Sequence, residues 1–163
     1  MKIRNGFVSN SSSSSYIIIG NSSKIEHIPD EAYEREYDNV YTLTLPHRNY
    51  TCEFGWERCI YSDVMERLNF AAIQTRYVME NPLTYEDWTD KIITVVKEDF
   101  EETHPGCELN IEFDYGKNSY DCYIDHQSSA IEGENIEMFD SESSMYDFIF
   151  NADSYIQGDN DNE

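Results

Sequence analysis

The carboxylates are the residues whose number and spacing could do chemistry, and that chemistry is recognition. Residues 98–163 hold 19 Asp and Glu against one base, Lys117, while residues 1–97 hold 14 acids and 10 bases. The formal net charge of the 163-residue chain is −22. Leu109, Ile111, Phe113 and Tyr115 alternate with Glu108, Asn110, Glu112 and Asp114. After Gly116-Lys117-Asn118 the alternation resumes, with Tyr120, Cys122, Ile124 and His126 against Asp121, Tyr123 and Asp125. This pattern predicts a β-hairpin with one buried and one solvated face. Side chains on one strand face recur every ~6.6–6.8 Å, so Glu108, Glu112, Asp114, Asp121 and Asp125 would share a face beside Tyr123.

Two acidic clusters could extend that face. Glu98, Asp99, Glu101 and Glu102 end the preceding helical stretch, and Glu132, Glu134 and Glu137 lie in an acidic loop after the hairpin. On the hairpin alone, five carboxylates over about 26 Å amount to one per ~5 Å. Duplex DNA carries one charge per ~1.7 Å, so the flanking clusters must lie on the same side to approach it. Tyr115, Tyr120, Tyr123, Tyr146 and Tyr155 are interleaved with the acids, and Tyr is enriched at interface cores. The functional reading is a surface for a basic partner, with mimicry of a nucleic-acid backbone as its sharp form. The plain reading is a solvated face that confers solubility.

Composition narrows the function classes. Direct binding to nucleic acid or to an anionic membrane demands Lys/Arg footprints, which this charge balance does not offer. Catalytic signatures are missing: there is no G-x-S-x-G, no phosphate-binding Gly loop and no pairing of nucleophile and base that spacing can argue. The expectation is a non-enzyme without cofactor. Cys52, Cys59, Cys107 and Cys122 include no C-x-x-C, and His47, Cys52 and Cys59 fit no zinc pattern, so no metal is expected. Cys52, Cys122 and His126 read as core residues on strands. The tail Asp159–Glu163 resembles the opening of a calcium loop but lacks its later ligands. No stretch has the apolar length of a signal peptide or membrane span, which predicts an intracellular chain with reduced thiols.

The elements that must position these groups follow from periodicity. With 39% hydrophobic residues, 13 Tyr, 8 Phe and 2 Trp, the chain is too apolar and aromatic to be disordered. One domain over residues 1–157 fits the length, with a Ser-rich segment at 1–15 and a frayed polar tail at 158–163. Tyr16–Ile19 and Val40–Leu45 read as strands, and Tyr50–Trp56 as another that pairs with 40–45 across Pro46–Asn49. Pro29-Asp30-Glu31 predicts a short helix to about Tyr37. Val64, Leu68, Ala71, Ala72 and Met79 mark a helix over 62–80 with Ser62 as cap. Trp88, Ile92, Val95, Val96 and Phe100 mark a second over 84–103, capped by Thr84 and stopped by His104-Pro105-Gly106. A short helix falls near 144–151. The predicted fold is α+β: an antiparallel sheet of about five strands with the two main helices on one face.

The opening Arg4-Asn5-Gly6-Phe7-Val8-Ser9-Asn10, followed by Ser11–Ser15 and Tyr16, resembles the start of many uncharacterised proteins encoded by tailed bacteriophages. It covers about 13 residues and no activity is attached to the group, so no functional residue is carried over. What the resemblance implies is context: a phage accessory protein in a bacterial cytoplasm, or one carried in the virion. Combined with the charge, the expectation is an acidic inhibitor or modulator that engages a basic, nucleic-acid-binding surface of a host protein. The alternative is a virion or scaffold component that self-assembles. Whether the protein forms a homo-oligomer is left open.

Overall fold

A computed structural model of the protein describes residues 2–5, 13–55, 59–118, 121–125 and 136–160. Among them the strands are β1 (Lys2–Asn5), β2 (Ser13–Ile19), β3 (Glu34–Tyr37), β4 (Val40–Leu45), β5 (Glu53–Phe54), β6 (Cys59–Tyr61), β7 (Glu108–Phe113), β8 (Tyr123–Ile124) and β9 (Tyr155–Asn160). The helices are α1 (Val64–Arg76), α2 (Pro82–Thr103) and α3 (Glu142–Phe150), with single 3-10 turns at Asp30–Ala32 and Glu137–Asp140. The α+β class is as expected. The single antiparallel sheet is not: the strands form an antiparallel sheet β1-β2-β9-β6, a mixed sheet β3-β4-β7 and a parallel pair β5-β8.

The predicted hairpin over 108–126 does not form among the described residues. β7 pairs in parallel with β4, Val40 opposite Glu108 through Leu45 opposite Phe113, and β8 pairs with β5. Alternation fixes which side chains face the core but is silent on the partner strand, and β4 satisfies it equally well. Two features draw the chain away after β7. The Tyr115 hydroxyl bonds Thr75 of α1 at 2.5 Å and Tyr85 of α2 at 3.0 Å. Gly116 turns the chain at φ 84°, and the N–H groups of Lys117 and Asn118 after it bond the Asp121 carboxylate, not a facing strand. The expected pairing of 40–45 with 50–56 fails likewise, and among the described residues of that stretch only Glu53–Phe54 is strand. Residues 30–37 make one 3-10 turn and then β3, because Glu34-Arg35-Glu36-Tyr37 offer no apolar stripe and all four are exposed.

Neither main helix uses the expected cap: α1 is capped one residue later and α2 three residues earlier. Asp63, not Ser62, caps α1: its side chain accepts from Met65 N and Glu66 returns a bond to Asp63 N, a reciprocal capping box. Asn81 caps α2 ahead of Pro82, whose missing N–H costs nothing at the first helical position. α1 is buried nearly all round, and its Arg67 donates to Ile149 O at 2.9 Å, Ser154 O at 3.2 Å and Ser62 O. Asn69 holds the 47–51 loop, accepting from His47 N and donating to His47 O and Thr51 O. In the core Phe54 meets Tyr61 and Phe70 edge-on and Phe70 meets Phe148 at a tilt, while Trp88 of α2 stacks on Phe139 at 3.9 Å.

The tail expected to fray is in part a central strand. β9 lies between β2 and β6, with Ser13 opposite Asn160 and Ile18 opposite Tyr155. Part of the Ser-rich segment is therefore sheet as well, since residues 13–15 belong to β2 and residues 2–5 form β1 beside it. Polar strands of this kind carry no apolar alternation, but each finds its hydrogen-bonding partner in the other.

Candidate acidic recognition surface

Burial sorts the acidic residues singled out by sequence into different roles. Glu98, Glu101 and Glu102 sit exposed on the last turns of α2. None of their three side chains makes a hydrogen bond or ion pair among the described residues. Asp99, between them, points inward and is 1% exposed. Its Oδ1 lies 2.6 Å from His27 Nδ1 and its Oδ2 accepts from Ile28 N at 3.1 Å. It thus ties residues 27–28 to the helix and cannot meet a partner, which corrects its expected surface role. Position 99 continues the apolar stripe of Ile92, Val95 and Val96, and this is the reason it faces in.

On β7, Glu108 and Glu112 are exposed on either side of Asn110, as alternation predicts. Asp114 and Asp121 are exposed but engaged with their own loop. Asp114 Oδ1 accepts from Gly116 N at 3.0 Å, and Asp121 Oδ2 accepts from Lys117 N at 3.0 Å and Asn118 N at 3.4 Å. Asp125 is 2% exposed, a second correction to the expected acidic face. It packs under Gly55, where an added Cβ would lie 2.6 Å from the Asp125 Cβ. Tyr123 is half-buried and Glu137 sits partly covered in its 3-10 turn. Glu132, Glu134 and His126 lie outside the described residues.

The helix acids and the strand acids do not share a surface. Tyr41, in register with Leu109, meets Phe100 at 5.6 Å and His104 at 5.4 Å, so α2 lies against the inner face of the β3-β4-β7 sheet. Glu108 and Glu112 point from the opposite face. The continuous acidic field expected over 98–142 is thereby divided in two.

The helix set has the richer surroundings. Tyr146 of α3 is within electrostatic reach of Glu102, Asp99, Glu98 and Asp147, and burial first, then these carboxylates, raises its hydroxyl pKa. His27 is held above its ordinary 6.5, first by the hydrogen bond to Asp99 and further by the charges of Asp99 and Glu102. Asp99 is itself raised from 3.8, because burial outweighs the bonds from His27 and Ile28. A second imidazole, His104, caps the same helix end with Nε2 3.3 Å from Asp30 Oδ1. Next to Asp147, a cleft of about 330 Å³ opens between the end of β2 and the start of α3, lined partly by Gly20, Asn21, Ser141 and Ser143.

His27–Asp99 has the form of a base with its orienting carboxylate, yet no hydroxyl or thiol hydrogen-bonds His27 Nε2 among the described residues. No three His, Cys, Asp or Glu side chains there converge as metal ligands. No described helix is long and apolar enough to cross a membrane. His27 and Asp147 went unsingled by sequence, since 72 positions separate His27 from Asp99 and no local pattern joins them. Compared with known proteins, the chain matches no family model, no curated protein and no solved structure.

Proposed function

We propose that the protein is an acidic binding protein that takes a basic segment of a partner protein at the end of α2, between Glu98, Glu101, Glu102 and Tyr146. The observation that carries this reading is the contrast in use of the acids. Asp99, Asp114, Asp121, Asp63, Glu66 and Asp87 all accept internal bonds, whereas Glu98, Glu101 and Glu102 are left to solvent. Their position carries a cost, since carboxylates near a helix C-terminus oppose the macrodipole by a few tenths of a kcal/mol each. Three charges within about 6 Å of helix axis, four steps of ~1.5 Å, approach the ~1.7 Å per charge of duplex DNA. The neighbouring Tyr146 ring supplies a face on which an Arg or Lys side chain gains cation–π attraction.

The partner in this reading is a host protein whose basic surface serves nucleic acid, and the protein acts as a phage-type inhibitor or modulator. Glu108 and Glu112 address a separate patch, so the mimicry is local to one helix end and not spread along a hairpin. The test is a pull-down from bacterial lysate with the intact protein and with a Glu98→Gln, Glu101→Gln, Glu102→Gln variant, at about 0.1 and 0.5 M salt, conditions that change screening strongly. The expected result is one basic nucleic-acid-binding protein retained by the intact form at low salt and lost from the variant. If both forms retain the same set, or neither retains anything, the acids serve solubility alone. Self-association of the intact protein at high salt would instead favour an assembly role.

A further inference from the structure

Two of the four thiols face each other. β5 and β8 run parallel with Glu53 opposite Tyr123 and Phe54 opposite Ile124, so the residues before them, Cys52 and Cys122, are the next pair in register. The ladder bond is in place, with Tyr123 N donating to Cys52 O at 2.8 Å. Neighbouring strands lie about 4.8 Å apart, within the ~4.4–6.8 Å between Cα atoms that a disulfide spans. In-register neighbours point to the same side of a sheet, which places the Cys52 and Cys122 side chains together. Both cysteines are free in the structure, Cys122 buried and Cys52 half-buried. Cys59 lies in β6 and Cys107 in the turn between α2 and β7.

We propose that Cys52 and Cys122 form a reversible disulfide by exchange with a small-molecule disulfide. The half-exposed Cys52 reacts first: its thiolate attacks one sulfur of the small disulfide, and the other sulfur leaves as a thiolate that takes up a proton. Cys122, deprotonated in turn, then attacks the Cys52 sulfur and expels the second small thiol. The protein loses two protons and two electrons, and the small disulfide is reduced to two thiols. The product closes a clip from Cys52 to Cys122 across strands of only two residues each. Burial and the neighbouring thiol push Cys52 up to about 12, so the attacking thiolate is scarce at neutral pH. Exchange should therefore accelerate roughly tenfold per pH unit through the alkaline range, with no plateau near the ~8.5 of an ordinary thiol.

The test places the reduced, folded protein in glutathione buffers of increasing oxidised fraction, traps free thiols with a maleimide and maps peptides by mass spectrometry. The expected product is an intramolecular link between the Cys52 and Cys122 peptides, about 2 Da lighter than the dithiol, reversed by reduced glutathione. The link should persist in a Cys59→Ser, Cys107→Ser variant, which leaves the buried thiol intact. In Cys122→Ser, a stable glutathione adduct should accumulate on Cys52. The proposal is overturned if no link forms at any ratio, if links appear only in denatured protein or through Cys59 or Cys107, or if the intact protein stops at the glutathione adduct.

Discussion

The last turns of α2, with four carboxylates, and the segment from Asp114 to Asp125, with three, put their acids to opposite use. Around α2, the carboxylate that sits on the apolar stripe, Asp99, is buried against His27, while its neighbours Glu98, Glu101 and Glu102 are free in solvent. Between 114 and 125, two carboxylates fold over their own backbone N–H groups and a third is buried under Gly55. Charge density along a sequence therefore says little about charge on offer to a partner. What decides it is whether donors lie within reach: loops present unpaired N–H groups that capture nearby Asp side chains, whereas the solvent side of a helix presents none.

The comparison breaks most visibly at Asp99. Replacing it by Ala leaves the Ile28 N–H unpaired inside the protein, and chemical denaturation should register a loss of about 2–3 kcal/mol. Asp121→Ala removes one acceptor shared by two exposed N–H groups, so the same measurement should give a smaller loss of about 1 kcal/mol. The Glu98→Gln, Glu101→Gln, Glu102→Gln variant should be neutral or gain a few tenths of a kcal/mol per site, because it removes repulsion and an opposed dipole. A loss above 1 kcal/mol there would place these acids among the structural ones and erase the distinction.

A pH series sharpens the same contrast. His27 has a raised folded pKa, so the folded chain holds that proton more tightly than the unfolded one. The stabilisation is fully present below about pH 6.5 and is lost as pH rises through the folded value. Asp99, also raised, contributes in the same sense from 3.8 upward. Urea midpoints should fall as pH rises above 6.5, and His27→Gln should flatten that part of the profile. An unchanged slope in the variant would assign the effect to other groups.

Much of this architecture was legible before any coordinates. The stripe Trp88, Ile92, Val95, Val96 and Phe100 is buried along α2, and the alternation from Glu108 to Phe113 turns the right side chains outward on β7. Asp99 could have been read as buried from the same helical period. Partners were the illegible part. Nothing in the alternation distinguishes an antiparallel return from a parallel union with β4, since that choice is made by the helices in between and by Tyr115 docking on Thr75. The strands β2 and β9 escaped in part because Ser13–Ser15 and Gly158–Asn160 have no apolar rhythm, and each is structured by the other.

The place of β9 has a consequence for how the protein comes into being. A strand late in the sequence occupies the middle of a sheet whose other members, β1, β2 and β6, all lie within the first 61 residues. During synthesis β2 and β6 must wait, with the edges that β9 fills unpaired, until residues 155–160 have emerged. Such long waits between distant partners slow folding and expose strands to wrong company. A ribosome stalled short of Tyr155, or a product clipped there, would release a chain in which β9 can join neither β2 nor β6, so the assembly of that sheet is decided at β9.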